Sequence, residues 1–326
     1  MILAGDIGGT KTNVALFEKE DLGTPRAQRS FPSGKFDSLE SIISEFFVAE
    51  HKPQLTHACF GVAGPVKDGQ VKTPNLKWMV DGQTLARTLG LERVGLINDL
   101  EATAYGIEVL GAAQLHALNE GQEERGAHRA LIAAGTGLGM AGLFYDGRHY
   151  RPIASEGGHI DYAPRTGIEQ ELFNYLRGKI GGRVSYERVL SGPGLFNIYS
   201  FLRDHRYGEE PAWLTEEIKA GDASAVVSQA GLEGKSELAV KALDLFADIY
   251  GAMAGNLALI LKATGGLYVG GGIAPKLIEK LKDGTFLRAF TDKGRMSALV
   301  SNIPVRVILD DKAALYGAAR CAVEQA

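Results

Sequence analysis

The sequence predicts an α/β protein of two lobes, and three observations predict it. At 326 residues the chain exceeds the size at which one hydrophobic core usually stops growing. Short apolar runs of strand type alternate with segments whose apolar residues recur at helical spacing. Two glycine-rich segments of one design, Asp6-Ile-Gly-Gly-Thr-Lys-Thr-Asn13 and Ala134-Gly-Thr-Gly-Leu-Gly139, lie in separate halves, each between strand-like runs.

Ile2-Leu3-Ala4 enters the first glycine turn and Val14-Ala15-Leu16-Phe17 leaves it, which predicts a β-hairpin. Residues 38–50 place Leu39, Ile42, Ile43, Phe46 and Phe47 at helical spacing, and residues 58–62 return to a buried-strand pattern. Residues 94–97 form another strand, which delivers Asn98-Asp99 at its C-terminal end, where open α/β sheets bind ligands. The pattern restarts at residues 130–133, with the second turn, residues 140–144 and an Asp146-Gly147 turn, so the second lobe is expected to copy the first. Further on, residues 185–202 read as a helix interrupted near Gly192-Pro193-Gly194, and residues 204–236 as polar surface elaboration. Residues 238–262 predict a long apolar helix. A strand then opens into a third glycine turn at Gly270-Gly-Gly272, with Pro275 placed to start a helix. Residues 305–309 and 313–323 read as a strand and a helix, the helix packing back on the first lobe.

Net charge is −4 and 45% of residues are hydrophobic, so no basic excess points to nucleic acid. The two cysteines, Cys59 and Cys321, make neither a disulfide framework nor a zinc pattern and predict reduced thiols. No signal-peptide pattern is expected, and Asn256, Lys262 and several glycines argue against a membrane span in residues 252–275. These features together predict a soluble, cytoplasmic protein.

Glycines let a turn bring its backbone N–H groups close to an anion, so paired turns suit a nucleotide phosphate clamp. Gly8-Gly-Thr-Lys-Thr12 is not a P-loop, because Thr10 replaces the required glycine and a strand follows where a helix is needed. Gly137-Leu-Gly-Met-Ala-Gly142 matches a dinucleotide fingerprint only in letters, since strand and turn follow it. A ligand-free hairpin explains any one glycine turn, whereas three turns with Asp6 beside the first favour the clamp. Asp6 can hold magnesium through water, because magnesium takes few carboxylates and keeps several waters; its alternative role is capping its own turn. Asn98-Asp99 can cap the following helix, or supply a base for an attacking hydroxyl with a neighbouring amide to position it. Glu156-Gly-Gly-His159, followed by Asp161, offers the mixed donors and acceptors that a polyol needs. A hydrolase is disfavoured, since the only nearby serine is Ser155 and no Gly-x-Ser-x-Gly elbow exists.

Taken in order, seven segments resemble the bacterial glucokinase family of the hexokinase/actin-like superfamily. They are Gly5-Asp-Ile-Gly-Gly-Thr10, Pro74-Asn-Leu-Lys-Trp78, Ile97-Asn-Asp-Leu100, Ala134-Gly-Thr-Gly-Leu-Gly139, Glu156-Gly-Gly-His-Ile-Asp161, Glu187-Arg-Val-Leu-Ser-Gly-Pro-Gly194 and Gly270-Gly-Gly-Ile-Ala-Pro275. They span almost the whole chain. The resemblance implies a two-lobed ribonuclease H-like (actin/hexokinase-type) fold with an interlobe cleft, a small lobe of residues 1–109 plus 311–326 and a large lobe of residues 110–310. It implies ATP-dependent phosphorylation of D-glucose, the first step of glycolysis, with Mg2+, in a cytoplasmic homodimer. Asp99 matches the base that takes the proton of the sugar 6-hydroxyl. Residues matching Asn75, Asn98, Glu156, His159 and Glu187 hold the sugar. Asp6, Ile7, Gly8, Gly9, Thr10, Lys11, Gly135, Thr136, Gly137 and Gly271 face the nucleotide, Asp6 holding magnesium through water. One departure stands out, for Tyr162-Ala-Pro-Arg-Thr-Gly167 lacks the cysteines of the zinc motif found in the related repressor and sugar-kinase group, so no zinc is expected. A kinase for mannose, fructose or an N-acetylhexosamine and a non-catalytic sugar sensor are the alternatives. A repressor would need a DNA-binding helix-turn-helix before residue 5.

Overall fold

The computed structural model describes residues 1–73, 76 and 78–325, which divide into two compact units. One comprises Met1–Leu115, Leu143–Ala154 and Asp310–Ala326, the other His116–Gly142 and Ser155–Leu309.

In the first unit, Ile2–Ile7 (β1) and Lys11–Phe17 (β2) form the expected hairpin, with Ile2 opposite Phe17 and Ile7 opposite Thr12. Ala27–Pro32 (β3) pairs with the free side of β2 and carries exposed Arg29 and Ser30 beside buried Phe31, as an edge strand should. Ser38 caps Leu39–Ala49 (α1) by accepting from Ser41 N–H, and Leu39, Ile42, Ile43 and Phe46 turn its apolar face inward. His57–Val62 (β4) runs parallel to β1 and is apolar throughout its inner length, because a strand between two others is covered on both faces. Gln70–Lys72 (β5) and Met79–Asp81 (β6) make a side hairpin, followed by Gly82–Leu89 (α2). Gly95–Asn98 (β7) lies parallel to β4 and leads directly into Asp99–Gly106 (α3). The sheet order is β3-β2-β1-β4-β7.

The second sheet repeats that order. Leu115–Asn119 (β8) precedes Arg129–Ala134 (β9), Leu138–Tyr145 (β10) and Tyr150–Ile153 (β11). Five helices follow: Gly167–Ile180 (α4), Gly192–Asp204 (α5), Ala212–Ala220 (α6), Ala223–Leu232 (α7) and Glu237–Ile260 (α8). Leu267–Gly270 (β12), Ile278–Lys282 (α9), Thr285–Thr291 (α10), Ser297–Ser301 (α11) and Val305–Ile308 (β13) complete it before Ala313–Glu324 (α12). The order β11-β10-β9-β12-β13 matches the first sheet strand for strand, with β8 added at the far edge. This is the duplicated ribonuclease H-like plan.

Three local expectations are corrected. Residues 185–202 are not one interrupted helix: a short 3-10 turn at Tyr186–Arg188 ends, and α5 begins afresh at Gly192. Ser191 caps it and Pro193 sits in its first turn, where a missing N–H costs nothing. Residues 204–236 are not mere elaboration, since α6 and α7 put Leu214, Val227 and Ala230 into the second core. Burial of Leu214 and Val227 contributes about 1.5–3 kcal/mol each. Pro275 starts no helix. Gly271 has φ +82°, and the turn it opens continues to Leu277 before α9 begins.

Helix α8 is long and apolar enough to cross a membrane, but Leu243, Phe246, Ile249, Tyr250 and Met253 lie in the second core, which accounts for that composition. Helix α12 belongs to the first unit, where Leu315, Ala318, Ala319 and Cys321 pack with Ile2, Ala4, Ala15 and Phe17. It meets α3 backbone to backbone: a side chain on Gly317 would strike Ala102 O and lie 2.5 Å from Gly106 N. Cys59 and Cys321 meet in this core as free thiols, and the neighbouring Cys321 together with burial pushes the Cys59 thiol up.

Candidate functional site

Each unit carries one constellation of the expected residues. In the first, three parallel strands end on one row, Ile7 opposite Val62 and Val62 opposite Asn98. Asp6 therefore stands at the C-terminal end of β1, and Asn98-Asp99 at that of β7. Parallel strands terminate in this way at ligand-binding edges of α/β sheets. Gly8, Gly9 and Thr10 form the turn between β1 and β2, with Gly8 N–H donating to Lys11 O at 3.0 Å. Buried Ser33 fastens that turn: its Oγ donates to Gly8 O at 2.8 Å and its N–H to Thr10 O at 3.0 Å.

Asp6 is partly buried, and its carboxylate accepts from Asn13 Nδ2 at 3.3 Å. Burial raises its pKa to about 6 against that hydrogen bond; the charges of Asp99 and Asp311 add to the rise, and Lys11 opposes it. A carboxylate short of compensating charge suits a cation, so the donor set fits magnesium with Asp6 as its protein anchor.

The helix-cap reading of Asn98 holds. Its Oδ1 accepts from Leu100 N–H at 2.9 Å, while Glu101 Oε2 accepts from Asn98 N–H at 3.1 Å, completing a capping box. Its Nδ2 donates to Gly64 O at 3.1 Å. Asn98 is thereby held rigid, and Asp99 occupies the first position of α3, where the helix dipole favours a carboxylate. Asn75, with Pro74 and Lys77 of its motif, lies outside the described residues. Trp78 of the same motif is a core residue, its Nε1 donating to Phe36 O at 2.8 Å.

In the second unit, Gly135, Thr136 and Gly137 form the turn between β9 and β10, closed by Gly135 N–H to Gly137 O at 2.8 Å. Gly192 N–H donates to Gly135 O at 2.8 Å, and Ser224 Oγ to Gly192 O at 2.7 Å. Gly271 packs its backbone directly on Ala134, leaving no room for a side chain. Glu156 precedes, and His159 ends, a 3-10 turn whose Gly158 abuts the Leu138 carbonyl. An antiparallel bridge between Asp161 and Ser185 and the Arg183–Asp161 ion pair draw this loop against residues 183–187. As a result His159 lies 3.9 Å from carboxylate oxygens of both Glu156 and Glu187. Glu187 also accepts from Leu138 N–H at 3.1 Å. The Glu156–His159–Glu187 group, with exposed donors and acceptors beside a glycine turn, suits a molecule with several hydroxyls. Ser155 is engaged locally, donating to Met140 O, and Asp161 is a structural partner of Arg183.

Sequence reasoning missed Asp311, Ser33 and Ser224. Ser33 and Asp311 act on the first turn, and Ser224 on the Gly192 that holds the second, from distant positions in the chain that no spacing signal announced. Among the described residues, no group of three or more His, Cys, Asp or Glu could hold a metal on its own.

The glucokinase family model matches residues 3–325. A glucokinase of Synechocystis sp. is 44% identical, with 99% of this chain and 98% of that protein covered. The crystal structure of a glucokinase from an Antarctic psychrotroph superposes with a TM-score of 0.87 at 31% identity, covering 99% of this chain and 98% of that one. A ROK family glucokinase from Streptomyces griseus, solved with glucose and AMPPNP, shares the fold with a TM-score of 0.65 at 22% identity, covering 99% of each chain.

Proposed function

The chain belongs to the glucokinase family, which transfers the γ-phosphoryl group of ATP to D-glucose, and we propose that its first unit carries the base and its second unit the sugar ligands Glu156, His159 and Glu187. The product is glucose 6-phosphate, and the reaction opens glycolysis. The observation that carries the division of roles is the row of strand ends that brings Asp6 and Asp99 to one edge of a parallel sheet.

In this reading Asp99 accepts the proton of the glucose 6-hydroxyl as that oxygen bonds to the γ-phosphorus, and the bond from phosphorus to the bridging oxygen breaks to release ADP. Placement of Asp99 at the head of a capped helix supports the role, because a fixed carboxylate loses little entropy in meeting its proton. Glu156, His159 and Glu187 hold the sugar hydroxyls, with Asn98 and Asn75 as further ligands. Asn98 spends much of its amide on Leu100 and Gly64, so its contribution to sugar binding is one remaining donor and a fixed orientation. Turns around Gly8, Gly137 and Gly271 receive the nucleotide. Magnesium, when bound, would neutralise phosphate charge, and Asp6 is the residue that would hold it. Homodimerisation rests on the resemblance alone; a cytoplasmic location is supported in addition by the free thiols of Cys59 and Cys321.

The test is sugar-dependent ADP formation with MgATP on glucose, mannose, fructose and N-acetylglucosamine, with Asp99→Asn as control. Activity on glucose that disappears in the control supports the reading. Undiminished turnover in Asp99→Asn removes Asp99 as the base.

A further inference from the structure

Glu187 is seated on the second glycine turn. Its Oε2 takes the Leu138 N–H at 3.1 Å, its Oε1 faces His159 Nδ1, and its carbonyl is tied by Ser191 Oγ at 2.7 Å. The side chain is 29% exposed, enough to reach a ligand and too little to swing freely. Beneath it lies Gly137. An atom in the Cβ position there would be 2.6 Å from Glu187 Oε2 and 3.5 Å from its Cδ, and would meet nothing else within 4 Å. Gly137 does not adopt a positive φ, in contrast to Gly271 at +82°. Its backbone therefore admits alanine, and what a methyl group there would displace is the Glu187 carboxylate, the far end of a flexible side chain.

We infer that Gly137, although it belongs to the turn assigned to the nucleotide, is a positioning residue of the sugar site. Its missing side chain sets where the Glu187 carboxylate stands. The inference rests on the reading in which Glu187 holds a sugar hydroxyl. A carboxylate displaced from the Leu138 N–H also loses the bond that aims its second oxygen, and a polyol senses aim as strongly as charge.

Three variants test this: Gly137→Ala, Glu187→Ala and the double variant, each measured for glucose affinity by calorimetry without nucleotide and for Tm. Gly137→Ala should weaken glucose binding by about tenfold or more in the absence of nucleotide, and adding it to Glu187→Ala should weaken glucose binding no further. It should lower Tm in the wild-type background and leave Tm unchanged where Glu187 is already alanine, because the clash is then absent. Wild-type glucose affinity in Gly137→Ala, with binding lost in Glu187→Ala, overturns the inference and spares the role of Glu187. Wild-type affinity in Glu187→Ala removes that role and the inference with it. A further loss of glucose affinity when Gly137→Ala is added to Glu187→Ala marks a general defect of the turn and also overturns it. Should Gly137→Ala fail to fold, the double variant must fold, and its failure is equally fatal.

Discussion

The two glycine turns share one plan, strand, turn and strand, and differ in the charge beside them. At the first, Asp6 is partly buried and faces the fields of Asp99 and Asp311, with Lys11 in opposition, and its pKa climbs to about 6. At the second, the carboxylates are provided for within the protein: Glu187 has the Leu138 N–H and His159, and Asp161 has Arg183. A strained carboxylate invites a cation or a proton, whereas a settled one offers a fixed acceptor. Duplication of a fold thus supplied two similar edges with unequal electrostatics, and the proposed division of roles follows that inequality, with proton and phosphoryl movement at the first turn and sugar held at the second.

Substitutions can break that contrast. The largest effect is expected from Asp99→Asn, which should lower kcat by roughly a hundred- to ten-thousandfold while calorimetry still detects glucose binding. Loss of binding together with kcat would move Asp99 into the sugar site. Next, Glu187→Gln should raise the glucose KM about tenfold with a smaller change in kcat, in steady-state assays with saturating MgATP. A fall in kcat at unchanged KM would instead give the second turn a share of the chemistry.

Asp6→Asn sharpens the comparison through stability. Because the folded pKa is raised from 3.8 to about 6, the contribution of Asp6 to stability is complete below 3.8 and is lost as pH rises through 6. Above that pH the wild type carries a penalty of up to roughly 3 kcal/mol, which asparagine, still an acceptor for Asn13, removes. Urea unfolding should show the variant more stable at neutral pH and equal to wild type near pH 4, with a higher KM for MgATP as the functional counterpart. No gain at neutral pH would mean that Asp6 is not strained. The smallest effect belongs to Ser33→Ala, which unties Gly8 O and should cost about 1 kcal/mol in chemical denaturation with a slight rise in the KM for MgATP.

Much of this was legible in the residues. Both hairpins, the strand carrying Asn98-Asp99, the helix of residues 38–50 and the return of the C-terminal helix followed from periodicity and local turn chemistry, which act over a few residues. The errors fell where distant partners decide. Residues 204–236 look polar in sequence because α6 and α7 each bury only a narrow stripe, visible once the long α8 lies beside them. Gly192-Pro193-Gly194 resembles a helix breaker until Ser191 is seen as a cap. Glu187 carried no mark of function by spacing, since its partners Leu138 and His159 are fixed by a loop bridged through Asp161 and Ser185. Ser33 and Asp311 likewise act on the first turn from outside its own stretch of sequence.

The backbone contact between α3 and α12 reaches into biosynthesis. The helix that begins with Asp99 leans on Gly317 and its neighbours, and those residues leave the ribosome only after the whole second unit has been made. At about 5–20 residues per second, the first unit waits some ten to forty seconds for its last piece. During that interval β1, β4 and α3 expose the apolar surface that α12 will cover, so the nascent chain needs shelter there, and the helix that begins with Asp99 stays unsupported until α12 has emerged.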